Sequence, residues 1–247
     1  MPMDPTVAPQ TRAEELLTRL RALANPANVA GMARYGINTS GTLGVAMPRL
    51  REIARDFRTL RRSNPVHVHE VAEALWASGV HEARLLAGIM DVPTLVTREQ
   101  AERWVVDFDS WDVCDQVTGL FAQTPFAADL ATSWAGRRAD FVKRAGFVVV
   151  CHLAVHDKQA SDEAMISFLP LVEREASDAR PYVKKGVNWA LRQIGKRSPG
   201  CHAAAVATAE RILDEQAGSP SARWIARDAL RELRAAAVVE RFPATDD

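Results

Sequence analysis

The chain has 247 residues, 47% hydrophobic and 25% charged, so it can bury a sizeable core and is not a disordered or low-complexity sequence. Its 31 basic and 31 acidic side chains cancel, which excludes an overall polycation and requires any basic face to be balanced by an acidic one. Three cysteines, Cys114, Cys151 and Cys201, stand far apart with no C-x-x-C spacing, which argues against a disulfide framework or a zinc cage and fits a reducing cytoplasm.

Residues 1–10 are proline-rich and lack the charged-then-apolar order of a signal peptide, so a disordered lead-in is expected there. A single domain is expected over 11–240 and a short tail over 241–247. No apolar run approaches the roughly 18 residues of a membrane span. From Met47 to Ser63 the residues Leu50, Ile53, Ala54, Phe57 and Leu60 form one helical apolar stripe. Arg51, Arg55, Arg58 and Arg62 form a second stripe of pure positive charge, either a phosphate contact or a solvated face. Pro48 sits where a first-turn proline is tolerated.

The densest cluster of chemistry is "VDFDSWDVCDQV", Val106 to Val117. Trp111 and Asp115 are four residues apart and share a helix face. An indole beside a carboxylate suits a cationic guest, although a packed tryptophan and an ion-paired aspartate would read the same way. Asp107, Asp109, Asp112 and Asp115 straddle an expected helix start, where capping explains aspartates better than a metal cluster. His152 and His156 are also four apart but have no third ligand nearby, and no metal is expected. Farther along, Lys185, Trp189, Arg192 and Lys196 make a cationic strip around one indole, which is seldom core.

Prolines and glycines punctuate helical stretches throughout, and alternating strand patterns are hard to find. "FVKRAGFVVV" at Phe141, "YVKKGVNWAL" at Tyr182 and "WIARDALREL" at Trp224 share an aromatic start, an early basic charge and an apolar run, 41 and 42 residues apart. A weaker copy begins at His81. A period near ~40 with two helices per unit predicts an all-α solenoid of roughly six HEAT-like repeats with a concave groove. Lys143, Arg144, Lys184, Lys185 and Arg227 would then recur along that groove, as nucleic-acid contacts or as ion pairs between repeats.

The blocks "GMARYGI" (Gly31–Ile37), "LGVAMPRLREIAR" (Leu43–Arg55), "FDSWDVCDQV" (Phe108–Val117), "FVKRAGFVVV", "VKKGVNWALRQIGKR" (Val183–Arg197) and "ARWIARDALREL" (Ala222–Leu233) resemble, in order, those of the DNA alkylation repair family of HEAT-like-repeat alkylpurine glycosylases. The resemblance implies excision of N3- and N7-alkylated purines from duplex DNA; nothing in the sequence points to a cofactor or to oligomerisation, and a monomer is expected. It implies a catalytic Asp115 with Trp111 beside it, and Trp189 as the second indole at the lesion. It implies a DNA contact from Arg144, with Tyr35 closing the site, and Lys143, Lys184, Lys185, Arg192 and Arg227 are expected to add DNA contacts from the recurring cations and the cationic strip. Some members carry a tryptophan where this chain has Ser110. Some relatives bind damaged or branched DNA without excising bases, and HEAT arrays also serve as protein scaffolds.

Overall fold

A computed structural model describes residues 6–242. Its described residues form helices and no strands. They fall into two compact units that divide between Pro125 and Phe126, within the stretch expected to be one domain.

The first unit contains α1 (Pro9–Ala22), α2 (Pro26–Arg34), α3 (Met47–Asp56), α4 (Arg58–Ser63), α5 (Pro65–Ala77), α6 (His81–Met90), α7 (Arg98–Val105) and α8 (Trp111–Phe121). Helix α1 begins inside the expected lead-in, because Pro9 occupies the first turn, where its fixed φ and missing N–H cost nothing. The rest of that lead-in, residues 1–5, lies outside the described residues, as do residues 243–247 of the tail. Helix α5 packs against α1, α4 and α6, and α6 against α3 and α8. The apolar stripe of α3 and α4 is buried through Leu50, Ile53, Phe57 and Leu60. Trp76 and Trp104 stack with ring centroids 4.2 Å apart in this core.

Loop order in this unit depends on one carboxylate. Glu82 is fully buried and accepts hydrogen bonds from the backbone N–H groups of Leu43 (2.8 Å), Gly44 (2.6 Å) and Val45 (3.2 Å). Three donors replace the water that a buried carboxylate loses. Gly44 is obligatory in that turn: its φ is +78°, and a Cβ would lie 2.2 Å from the Asn25 carbonyl.

The second unit contains α9 (Ala127–Ala135), α10 (Asp140–His156), α11 (Asp162–Ile166), α12 (Leu169–Glu175), α13 (Pro181–Gly195), α14 (Pro199–Glu215), α15 (Pro220–Leu233) and α16 (Ala236–Val239). The three copies of the repeated block are α10, α13 and α15, and they pack side by side in that order. Arg144 Nη1 donates to the Tyr182 carbonyl (2.8 Å), buried Asn188 to the Ile225 carbonyl (3.1 Å), and Arg197 to the Ala154 carbonyl (3.0 Å). Each bond ties residues roughly one repeat apart, which is how a stacked array is held together: every unit bonds to its sequence neighbour.

Candidate functional site

In the first unit the chemistry gathers at the start of α8. Ser110 is extended and precedes the helix, but its hydroxyl donates to Asp112 (2.7 Å) rather than capping a backbone N–H. Trp111 opens the helix, and its indole N–H donates to the Tyr35 carbonyl (3.0 Å). Tyr35 follows α2 and is 75% exposed. Asp115 stands one turn beyond Trp111 and is half-buried. A carboxylate, an indole fixed by its N–H and a solvent-facing tyrosine therefore belong to one local assembly. An indole face and a negative charge one turn apart favour a cation over a neutral group.

The other aspartates of the cluster serve tertiary contacts more than helix capping. Asp107 accepts from the Trp76 indole (2.9 Å) and faces Arg84 (3.5 Å), and Asp109 accepts from Asn38 (2.7 Å). Asp112 meets His81 Nε2 at 2.9 Å. Among the described residues no three His, Cys, Asp or Glu side chains form a metal-binding group.

The His81–Asp112 contact fixes the helix start from behind. Burial alone pushes His81 down and Asp112 up. Their hydrogen bond and opposite charge outweigh it, leaving His81 above its ordinary 6.5 and Asp112 below its ordinary 3.8. His69 is likewise raised, chiefly by its hydrogen bond with buried Asp91. A histidine whose folded pKa is raised adds stability below its unfolded value, and the contribution fades as pH climbs through the folded value. Asp112 behaves conversely, contributing above its unfolded value and losing the contribution as pH falls through the folded one. The melting temperature should therefore fall as pH rises above the ordinary histidine value of 6.5. Thermal melts of a His69→Gln/His81→Gln protein should show a flatter slope over that window, and an unchanged slope would remove both histidines from the account.

In the second unit, α10, α13 and α15 line a cleft of about 330 Å³. Arg144, Lys185, Trp189 and Arg192 face it together with Trp224 and Asp228. Trp189 is half-buried on the cleft wall. Arg192 pairs with Glu232 and lies 3.9 Å from Asp228, and Lys196 pairs with Glu232 at 2.6 Å. The cationic strip of α13 is thus partly neutralised from α15. Lys185 and Arg227 are exposed and form no ion pair among the described residues.

The recurring cations separate into different roles. Lys143 is buried, with its Nζ 2.5 Å from Glu175 and 3.3 Å from Asp178, so the structure commits it to an inter-repeat ion pair and not to a surface contact. Asp178 is held down to about 2, first by Arg180 and also by Lys143. This corrects the expectation of Lys143 as a nucleic-acid contact. Arg144 is also buried and donates to Tyr182, but its side chain reaches the cleft. Lys184 lies 4.8 Å from the Trp224 ring centroid in a cation–π contact.

Trp224 carries more than its repeat position suggested. It is 41% exposed and lines both the Trp189 cleft and a neighbouring cavity of about 440 Å³ with Arg223, Arg227 and Arg231. Its counterparts Phe141 and Tyr182 are spent on each other, with ring centroids 5.0 Å apart. The aromatic start shared by all three copies of the block was the signal available in the sequence.

A solved structure described as "a new family of proteins related to the HEAT-like repeat DNA glycosylases with affinity for branched DNA structures" matches this fold with a TM-score of 0.64. The match covers 80% of this chain and 81% of that one at 21% identity, which defines a HEAT-like repeat protein. The chain belongs to the family described as DNA alkylation repair enzyme, which matches residues 16–233. No curated protein matches its sequence.

Proposed function

We propose that the protein is a DNA N-glycosylase that excises N3- and N7-alkylated purines from duplex DNA. The observation that carries this reading is the pairing of Trp111, pinned through its N–H, with the half-buried Asp115 one turn away, in a chain of the alkylation repair family. Alkylation at N3 or N7 makes the purine cationic and a good leaving group. The C1′–N bond breaks with its electron pair going to the base, through an oxocarbenium-like state. Asp115 opposes the positive charge that develops on the sugar and orients the water that adds to C1′, whose proton leaves to the carboxylate or to solvent. Trp111 offers its ring to the cationic sugar.

The second unit supplies backbone contacts in this reading. Lys185 and Arg227 are free to meet phosphates, and Trp189 offers an aromatic contact to the bound DNA.

The test is purine release from a duplex carrying N7-methylguanine, with binding measured across a salt series. Release should be observed, and affinity should fall steeply with salt. A Lys185→Gln/Arg227→Gln protein should bind several-fold more weakly, with a log–log salt slope smaller by about 2. A second reading, non-catalytic binding of branched DNA, is supported by Ser110. That side chain is fully buried where some family members carry a tryptophan, and its hydroxyl is spent on Asp112. Tight binding of a four-way junction with no purine released would favour it.

A further inference from the structure

The arginine stripe of α3 and α4 stands outside the chemistry described above. The two helices meet at Phe57, whose backbone is in the αR region and whose carbonyl accepts from the Arg61 N–H (2.8 Å) at the start of α4. Arg51, Arg55, Arg58 and Arg62 lie away from the buried face of Leu50, Ile53, Phe57 and Leu60. All four are exposed, and none has an ion pair or side-chain hydrogen bond among the described residues.

Their isolation follows from how the neighbouring acids are used. Glu52 is taken by Arg49 (2.8 Å), and Asp56 by Arg19 (2.9 Å). The Glu52 carboxyl is held below its ordinary range first by Arg49, with further pull from Arg19 and Arg55. In a chain of zero net charge, four exposed guanidinium groups without an ion pair on two successive helices concentrate positive potential that the rest of the molecule balances elsewhere.

We infer that this ridge is a second docking surface for the phosphate backbone of duplex DNA, separate from the Trp189 cleft. Arg51 and Arg55 on α3, and Arg58 and Arg62 on α4, are each four residues apart, about 6 Å along their helix, or roughly two phosphates of axial rise on one DNA strand. Guanidinium groups grip phosphate oxygens in pairs of parallel hydrogen bonds. The ridge presents no aromatic ring for stacking single-stranded bases and no exposed apolar side chain for entering a bilayer. It carries charge without sequence readout, so it adds affinity and salt dependence rather than specificity. The inference rests on the reading of the protein as a DNA binder.

The experiment compares the full chain with an R51Q/R55Q/R58Q/R62Q protein and with the same four positions changed to lysine. Binding to an unmodified duplex of about 24 base pairs is followed by fluorescence anisotropy across a salt series. Phosphatidylserine-containing vesicles form a parallel arm. The glutamine protein should keep its melting temperature, lose about tenfold or more in duplex affinity, and show a salt slope smaller by about 3. The lysine protein should restore most of the slope. Unchanged duplex affinity and slope in the glutamine protein would overturn the ridge while leaving the cleft intact, and so would a loss confined to vesicles. Absence of purine release alongside a reduced slope would overturn only the excision reading. Failure of the unaltered protein to bind duplex at all would overturn both.

Discussion

An Asp115→Asn protein is expected to hold alkylated duplex as tightly as the unaltered protein and to release its purine about 10²–10³-fold more slowly. Asparagine keeps the size of the side chain and one carbonyl acceptor but removes the negative charge. At ~4 Å and an effective dielectric near ~20, that charge is worth about 4 kcal/mol against a full positive charge. Only part of a full charge has developed on the sugar in the transition state, which lowers the effect towards about 3 kcal/mol, or roughly two orders of magnitude in rate. Ground-state binding changes little, because phosphate contacts dominate it and a half-buried carboxylate, if anything, repels the backbone. Single-turnover release from N7-methylguanine duplex, with anisotropy for affinity, separates the two terms. A neutral damaged purine should be poorly released by either protein, since its leaving group lacks the charge. Equal excision by the asparagine protein would remove Asp115 from the mechanism. A parallel loss of affinity would make it a binding residue only.

The elements legible in the sequence were those whose signal is local. The stripe of Leu50, Ile53, Phe57 and Leu60 specified helical structure and its buried face, because a period near 3.6 needs no partner to be read, but not the break at Phe57 that divides it into α3 and α4. The repeated block predicted the side-by-side order of α10, α13 and α15, since identical local patterns fold into identical units that stack. Trp111 and Asp115 were visible as a pair one turn apart. What stayed hidden depends on residues far away in the chain. Lys143 looked the same as Lys185, and only the approach of Glu175 and Asp178 separates a buried ion pair from an exposed cation. Glu82 lay inside a weak copy of the repeat with nothing to mark it as the acceptor for the backbone N–H groups of Leu43, Gly44 and Val45. Trp111 finds its acceptor in a carbonyl from Tyr35, a group that carries no side-chain signature at all.

Gly146 poses the opposite problem, a residue whose local preference and tertiary role disagree in sign. It sits in the middle of α10, where replacing glycine by alanine ordinarily stabilises a helix by up to about 1 kcal/mol. A Cβ at this position, however, would lie 2.4 Å from the Ala135 nitrogen, 2.8 Å from the Ala131 carbonyl oxygen and 3.0 Å from the Ala135 Cα, all in α9. These are backbone atoms, so no rotamer change relieves the overlap, and the two helices must separate. Overpacking of this kind costs about 1–3 kcal/mol, and the absence of a flexible neighbour puts it near the upper end. The net expectation for Gly146→Ala is a loss of about 2 kcal/mol, or roughly 4–8 °C in melting temperature for a chain of this size. Gly31, in α2, meets nothing within 4 Å of a built Cβ, so Gly31→Ala should move the melting temperature the other way. Because α10 carries Arg144 to the cleft, the Gly146→Ala protein should also bind duplex more weakly than Gly31→Ala. Two thermal melts of opposite sign would establish that close approach of α9, and not helix propensity, keeps a glycine in this helix; a rise in both would refute it.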